Sequence, residues 1–254
     1  MVPDLSPYFL AIFAIAVRTT TAFMILPGFS AAQIPMRVRL FLSLAVTYSV
    51  FFLAGDLAAQ PLFQQEPTPG WFVVVTIREM LVAAILAVPI RFLFLALGFA
   101  GEISMQFVGM NPIPGTPIGD DQPTTSLSAF YNMAALILFF VTGLHLHFIM
   151  ALALSFEAFP PGEVLNASVV VERFATDLST FFNIALRLAA PILVYSVIVN
   201  LIAGLVNKLT PQIPIYFVST PFLIFGGLYI LLLIGNDIIF SFNVEASRLV
   251  DSLL

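Results

Sequence analysis

The sequence reads as an all-α integral membrane protein built of helical hairpins with broken helices, and three observations carry that reading. Hydrophobic residues make up 60% of the chain against 9% charged, with a mean hydropathy of +1.06, whereas soluble globular domains run at about 45–50% apolar and 25% charged. Apolar runs of membrane-spanning length recur along the chain. Between the last two, the segment LIAGLVNKLTPQIPIYFVSTP (201–221) sets Asn207, Lys208, Pro211, Gln212 and Pro214 at the waist of apolar sequence. Backbone that meets hydrocarbon has to pair every N–H and C=O internally, so a proline-broken polar waist turns around at a surface or inside an assembly. The flanking runs are therefore expected to form a hairpin with this waist at its tip.

The 254 residues read as a single polytopic membrane domain, because no charged or Gly/Ser-rich linker sets off a soluble module. The net charge of −5 is thinly spread and the 9 basic residues do not cluster along the sequence. That argues against a nucleic-acid footprint and against a polybasic lipid patch. Cysteine is absent, which excludes disulfides, thiolate metal sites, haem attachment and thiol redox chemistry. The first cation is Arg18 and no small-x-small cleavage site follows the first apolar run, so that run is expected to be a retained segment instead of a cleaved signal.

The apolar runs lie at about 5–29, 40–55, 71–101, 126–156, 180–207 and 213–235, and a span takes about 20 mostly apolar residues. The second is short. The third is long and interrupted by Arg78, Glu79 and Arg91, and its Ala96, Ala100 and Ser104 recur every four residues as a stripe for close helix contact. The fourth reads as the surest continuous span, since no Asp, Glu, Lys or Arg lies between Asp121 and Glu157. Such unequal runs predict tilted or broken helices, or helices held in a protein complex.

Between the third and fourth runs, Met105 to Thr125 reads MQFVGMNPIPGTPIGDDQPTT. Prolines 112, 114, 117 and 123 with glycines 109, 115 and 119 oppose a continuous helix, yet 103–119 carries no charge. Irregular backbone cannot face lipid, and an apolar loop gains little from water, so 105–125 is a pore-loop candidate lined by protein. The alternative is an exposed surface turn.

Arg18, Arg78, Glu79, Arg91, Glu102 and Arg187 lie in or beside apolar runs and are expected in interhelical ion pairs. Arg78 and Glu79 are adjacent and face different directions on a helix, so each is expected to need a partner elsewhere. No aligned series of acids marks a proton relay. His145 and His147, two apart, point to different faces and do not chelate together, and no metal or cofactor is expected. Arg37, Arg39 and Lys208 against the mostly acidic 56–70 and 157–179 connections predict cytoplasmic first and fifth connections and both termini outside. Lys208 near a helix end and prolines beyond it fit simple helix termination as well as partner contact.

Enzyme readings fall short. Gly28-Phe29-Ser30-Ala31 and Pro117-Ile118-Gly119-Asp120 each miss a glycine of the intramembrane protease motifs, and Lys208, the only lysine, follows Asn207 instead of the glycine a phosphate-cradling loop needs. A secondary transporter would repeat a pair of interrupted spans in its two halves, and none repeats here.

Three stretches together resemble the FliR family of type III export-gate subunits, flagellar and injectisome alike. The first is Arg18 with Pro27-Gly28-Phe29-Ser30 and Ile34-Pro35-Met36-Arg37-Val38-Arg39; the second is Gly101-Glu102-Ile103 and the apolar helix near Asn132; the third is Gly204 to Lys208 with Pro211-Gln212-Ile213, Ile215-Tyr216 and Pro221. The resemblance implies a non-enzymatic, cofactor-free subunit of a hetero-oligomeric export gate in the bacterial inner membrane at the flagellar basal body. It implies FliP, FliQ and FlhB-like partners, membrane lipid around them, unfolded exported proteins as cargo, and a subunit-contact motif of Gly204, Asn207, Lys208, Pro211, Gln212 and Pro221. It also implies a plug at the 105–125 loop, with Val108, Met110, Ile113 and Ile118 sealing and Gly109, Gly115 and Gly119 letting it swing. An injectisome subunit is the alternative.

Overall fold

The computed structural model describes residues 6–31, 34–63, 68–110, 125–163, 165–212 and 214–251. Among them every regular element is helical: α1 (Ser6–Ile25), α2 (Met36–Ala59), α3 (Pro69–Val108), α4 (Ser126–Val141), α5 (Leu144–Ala158), α6 (Ala167–Leu209) and α7 (Ile215–Asp251), with a 3-10 turn at Gln60–Leu62. Five of these helices are long and apolar enough to cross a membrane. The protein is an all-α integral membrane protein.

The helices outrun the apolar stretches that announce them. α2 has 24 residues, because Arg37, Arg39 and Asp56 continue the helix beyond the run read from hydropathy. α3 spans 40 residues, with Pro89 inside it, and α6 spans 43. At 1.5 Å per residue each is about 60 Å long, twice the roughly 30 Å hydrocarbon core. α3 also continues to Val108, through the first four residues of the stretch expected to be irregular, since the first helix-breaking proline comes only at position 112.

The 126–156 run is not one continuous helix. It divides into α4 (16 residues) and α5 (15 residues), bent by 67° at the break, and each piece is shorter than a span needs. Gly143 makes the break. Its φ of 75° is left-handed, and as N-cap of α5 its carbonyl accepts the Leu146 N–H at 2.9 Å. Charge counting finds no signal here because the interruption is a backbone conformation that glycine adopts without Cβ strain.

The chain gathers into two compact units. Unit 1 comprises Met1–Phe92, Phe139–Leu178 and Glu245–Leu254, and unit 2 comprises Leu93–Leu138 and Ser179–Val244. In unit 1, Ala11, Ala14, Arg18 and Ala22 form one buried stripe of α1, beside buried Ala54 and Ala58 of α2 and Phe148, Ala151, Leu152 and Phe156 of α5. The spacing of three or four keeps them on one helix face, and the alanines let helices approach closely. In unit 2, Val108, Ile192 and Leu231 form a buried cluster against which Leu127, Ile224 and Leu228 pack.

Candidate functional site

The pore-loop candidate is tethered at both ends in unit 2. At its start, α3 closes with the Gly109 N–H on the Gln106 carbonyl (3.1 Å) and the Met110 N–H on the Met105 carbonyl (2.9 Å), around Gly109 at φ 85°. This is a Schellman cap, which satisfies two terminal carbonyls and calls for a left-handed residue. Gly109 is thus a helix cap. Val108 sits fully buried in the cluster described above, while Met110 is exposed. Ile113, Gly115, Ile118 and Gly119 lie outside the described residues.

At the far end, the Thr125 N–H donates to Glu102 Oε1 at 3.0 Å, and the Ser128 N–H donates to Thr125 Oγ1 at 3.2 Å. Thr125 therefore caps the start of α4 with its side chain, and Glu102 holds Thr125. A carboxylate also complements the positive end of α4. Glu102 was expected in an ion pair; among the described residues its partner is this backbone amide. Glu102 lies six residues before Val108, about 9 Å along the helix axis, so the last turns of α3 hold both ends.

Close helix packing sets that geometry. A Cβ on Gly101 would lie 2.9 Å from the Ser128 backbone, and one on Gly98 2.8 Å from the Asn132 side chain. Ala96, Ala100 and Ser104 are buried as well, but the tight approach to α4 runs through the two glycines. The cap role of Thr125 was not read from the sequence; a threonine just before the start of an apolar run was the available signal.

α6 and α7 are tied within unit 2 by Tyr195, whose hydroxyl donates to the Phe222 carbonyl. Gly226 lets the ring in, since a Cβ there would fall 1.9 Å from the Tyr195 hydroxyl oxygen, and a Cβ on Gly227 would fall 2.4 Å from Val108. At the hairpin tip, Lys208, Pro211 and Gln212 are exposed, Asn207 and Gly204 are half-buried, and Pro221 lies exposed inside α7. A Cβ on Gly204 would meet nothing within 4 Å.

The buried charges of unit 1 form one network. Arg18, fully buried, donates Nε to Glu79 Oε2 at 2.6 Å, Nη1 to Ser155 Oγ at 2.8 Å and Nη2 to the Phe159 carbonyl at 2.8 Å. Its guanidinium carbon also lies 3.7 Å from the centre of the Phe156 ring. Arg78 donates to Glu79 Oε1 and to the Glu163 carbonyl. Two arginines thus share one carboxylate, and the remaining positive charge faces carbonyls at and beyond the end of α5, where the helix dipole favours a cation. Arg78 and Glu79 each have a partner elsewhere, the Glu163 carbonyl and Arg18, and they also bond to each other. Their Cβ directions diverge, yet the long arginine stem folds the guanidinium back to its neighbour's carboxylate. Arg91 donates to the Ile25 carbonyl and Ser30 Oγ instead of an acid, and Arg187 is exposed with no ion pair among the described residues.

The sequence is similar to known bacterial proteins over most of its length. The model of the family described as "Bacterial export proteins, family 1" matches residues 9–248. Flagellar biosynthetic protein FliR of Caulobacter vibrioides is 28% identical over 221 residues, covering 85% of this chain and 84% of the relative. The FliR protein of Aquifex aeolicus is 27% identical over 207 residues (82% and 78%), and that of Escherichia coli K12 is 26% identical over 226 residues (88% and 82%). With a match running from α1 to the last turn of α7, the chain belongs to the bacterial export proteins of family 1, the family of the FliR flagellar biosynthetic proteins.

Proposed function

We propose that this chain is a core membrane subunit of the flagellar type III protein export gate, forming part of the channel for unfolded flagellar proteins and closing it with the 105–125 segment. The family match over residues 9–248, with relatives named flagellar biosynthetic proteins, carries the reading. Met110, Ile113 and Ile118 are the sealing side chains. Val108 buttresses them from the unit 2 core, and Gly109 is the pivot, because its left-handed conformation is the last one fixed by α3.

Neighbouring subunits, FliP, FliQ and FlhB-like, cover the surfaces this chain leaves bare. α7 buries only 6% of its most apolar window, against 56% for α3, and Phe217, Phe222, Phe225 and Leu232 all project from it exposed. The tip motif points the same way. Glycine inside a helix costs about 0.5–1 kcal/mol relative to alanine, and nothing among the described residues requires Gly204 to be so small. A helix of another subunit passing close by would require it.

Deleting residues 111–118 and measuring ion conductance of cells carrying the assembled gate tests the plug. Raised conductance is expected, and unaltered conductance overturns it. Replacing Lys208 and Gln212 by alanine should reduce recovery of FliP and FliQ in pull-downs; full recovery removes the tip from the interface.

A further inference from the structure

Two arginines far apart in the sequence, Arg39 and Arg91, reach one connection at one end of unit 1, and Arg37 lies two residues before the first of them. Arg91, from α3, donates Nη1 to the Ile25 carbonyl at 3.1 Å and to Ser30 Oγ at 3.3 Å. Arg39, from α2, donates Nη2 to the carbonyls of Ala31 (2.9 Å) and Ile34 (3.4 Å), with Nη1 3.5 Å from Met24 Sδ. Both guanidinium groups therefore grip the connection between α1 and α2. Arg37 stands in the first turn of α2, exposed and without a hydrogen bond or ion pair among the described residues.

Neutral acceptors take some of the donors of Arg39 and Arg91, Arg39 Nε having no partner among the described residues, and they leave the charge uncompensated. None of the ion pairs among the described residues involves Arg37, Arg39 or Arg91. α2 opens at this end behind Pro35 with no side-chain cap, so the positive end of its dipole adds to the same field. Around the arginines, Met36, Val38, Leu40 and Phe41 are exposed. A cationic corner with an apolar collar matches the headgroup and upper acyl chain of a charged lipid, since guanidinium forks bind phosphate and aliphatic side chains accept the chain.

We propose that this end of unit 1 binds an anionic phospholipid, with Arg37, Arg39 and Arg91 around the headgroup phosphate and the acyl chains along Val38 and Phe41. The site stands apart from the plug and the hairpin tip, so it holds or fails independently of the export reading. It fits a leaflet rich in anionic lipid, where each basic residue near the surface strengthens attraction several-fold.

The test reconstitutes the full-length chain in nanodiscs of phosphatidylcholine and phosphatidylglycerol, re-extracts it, and measures the retained lipid by mass spectrometry. Phosphatidylglycerol should be enriched over its bulk fraction, and Arg37→Gln should cut that enrichment about fivefold, while Arg37→Lys keeps it. Arg37 makes no bond among the described residues, so its variants are expected to fold as the parent does. Arg91→Lys, which retains the charge, should keep most of the enrichment even if the turn loosens. Equal retention of both lipids, enrichment unchanged in Arg37→Gln, or displacement of the lipid by inorganic phosphate alone would each overturn the proposal. So would loss of a co-purifying gate subunit from Arg37→Gln complexes with lipid retention unaltered, which would make the partner an acidic protein segment.

Discussion

Arg18 and Glu79, 61 residues apart in sequence, meet at 2.6 Å with neither side chain exposed. The pair joins α1 to α3, and through Ser155 and the Phe159 carbonyl it also joins the end of α5. Removing one partner of such a pair leaves a bare charge where solvent cannot reach it, and that cost exceeds what the pair contributes while intact.

Glu79→Ala is accordingly expected to be the most damaging single change in unit 1, at about 3–5 kcal/mol, because it strands two guanidinium groups at once. Arg78→Ala should cost distinctly less, since Arg18 and Glu79 remain paired. Thermal unfolding of the purified chain in detergent measures both, and equal midpoints for the two variants would contradict the shared-carboxylate arrangement.

Gly226→Ala forces a methyl group into the Tyr195 ring and should destabilise by about 1–3 kcal/mol. Tyr195→Ala empties that space, so the double variant should be more stable than the sum of the single effects predicts. A coupling of about 0.5–3 kcal/mol is expected for residues in contact. An additive double-mutant cycle would mean that the ring does not occupy the glycine's space.

Gly109 and Gly204 should respond in opposite directions. At Gly109 the left-handed cap makes alanine cost about 1–2 kcal/mol, whereas Gly204→Ala should stabilise the isolated chain by about 0.5–1 kcal/mol and still reduce recovery of the assembled complex. Denaturant unfolding and co-purification on the same variants read out the two halves. A stabilised Gly204→Ala chain that assembles fully would show that the open face at position 204 stays open.

Thr125→Ala removes the side-chain cap of α4 and should cost about 1 kcal/mol, with faster amide exchange at Ser128 than at Tyr131. Glu102→Gln keeps an acceptor for the Thr125 N–H but loses its charge, so a smaller effect is expected. Protection at Ser128 that is indifferent to Thr125→Ala would remove the cap assignment.

Much of the candidate site was legible as position and little of it as partnership. Pro211 and Gln212 mark a turn in the sequence and occupy a turn in the structure, although proline alone does not decide a break, since Pro89 and Pro221 lie inside α3 and α7. Arg18 was legible as a charge needing a partner, but Ser155, which helps hold it, carries no signal that separates it from other serines. Gly143 lay unnoticed in the smoothest apolar run because hydropathy averages over side chains, whereas a helix breaks on a single backbone angle.

The sequence by itself determined that this is a helical membrane protein, where its polar interruptions fall, and which family it resembles, since those follow from local composition and from motifs along the chain. Only the tertiary structure decided which charges meet. Arg39 and Arg91 lie far apart along the sequence, and α3 brings the second back to the connection that the first grips. Separation along the chain sets no distance in space once helices pack side by side, so charge clusters and the close approach of Gly101 to Ser128 belong to the fold alone.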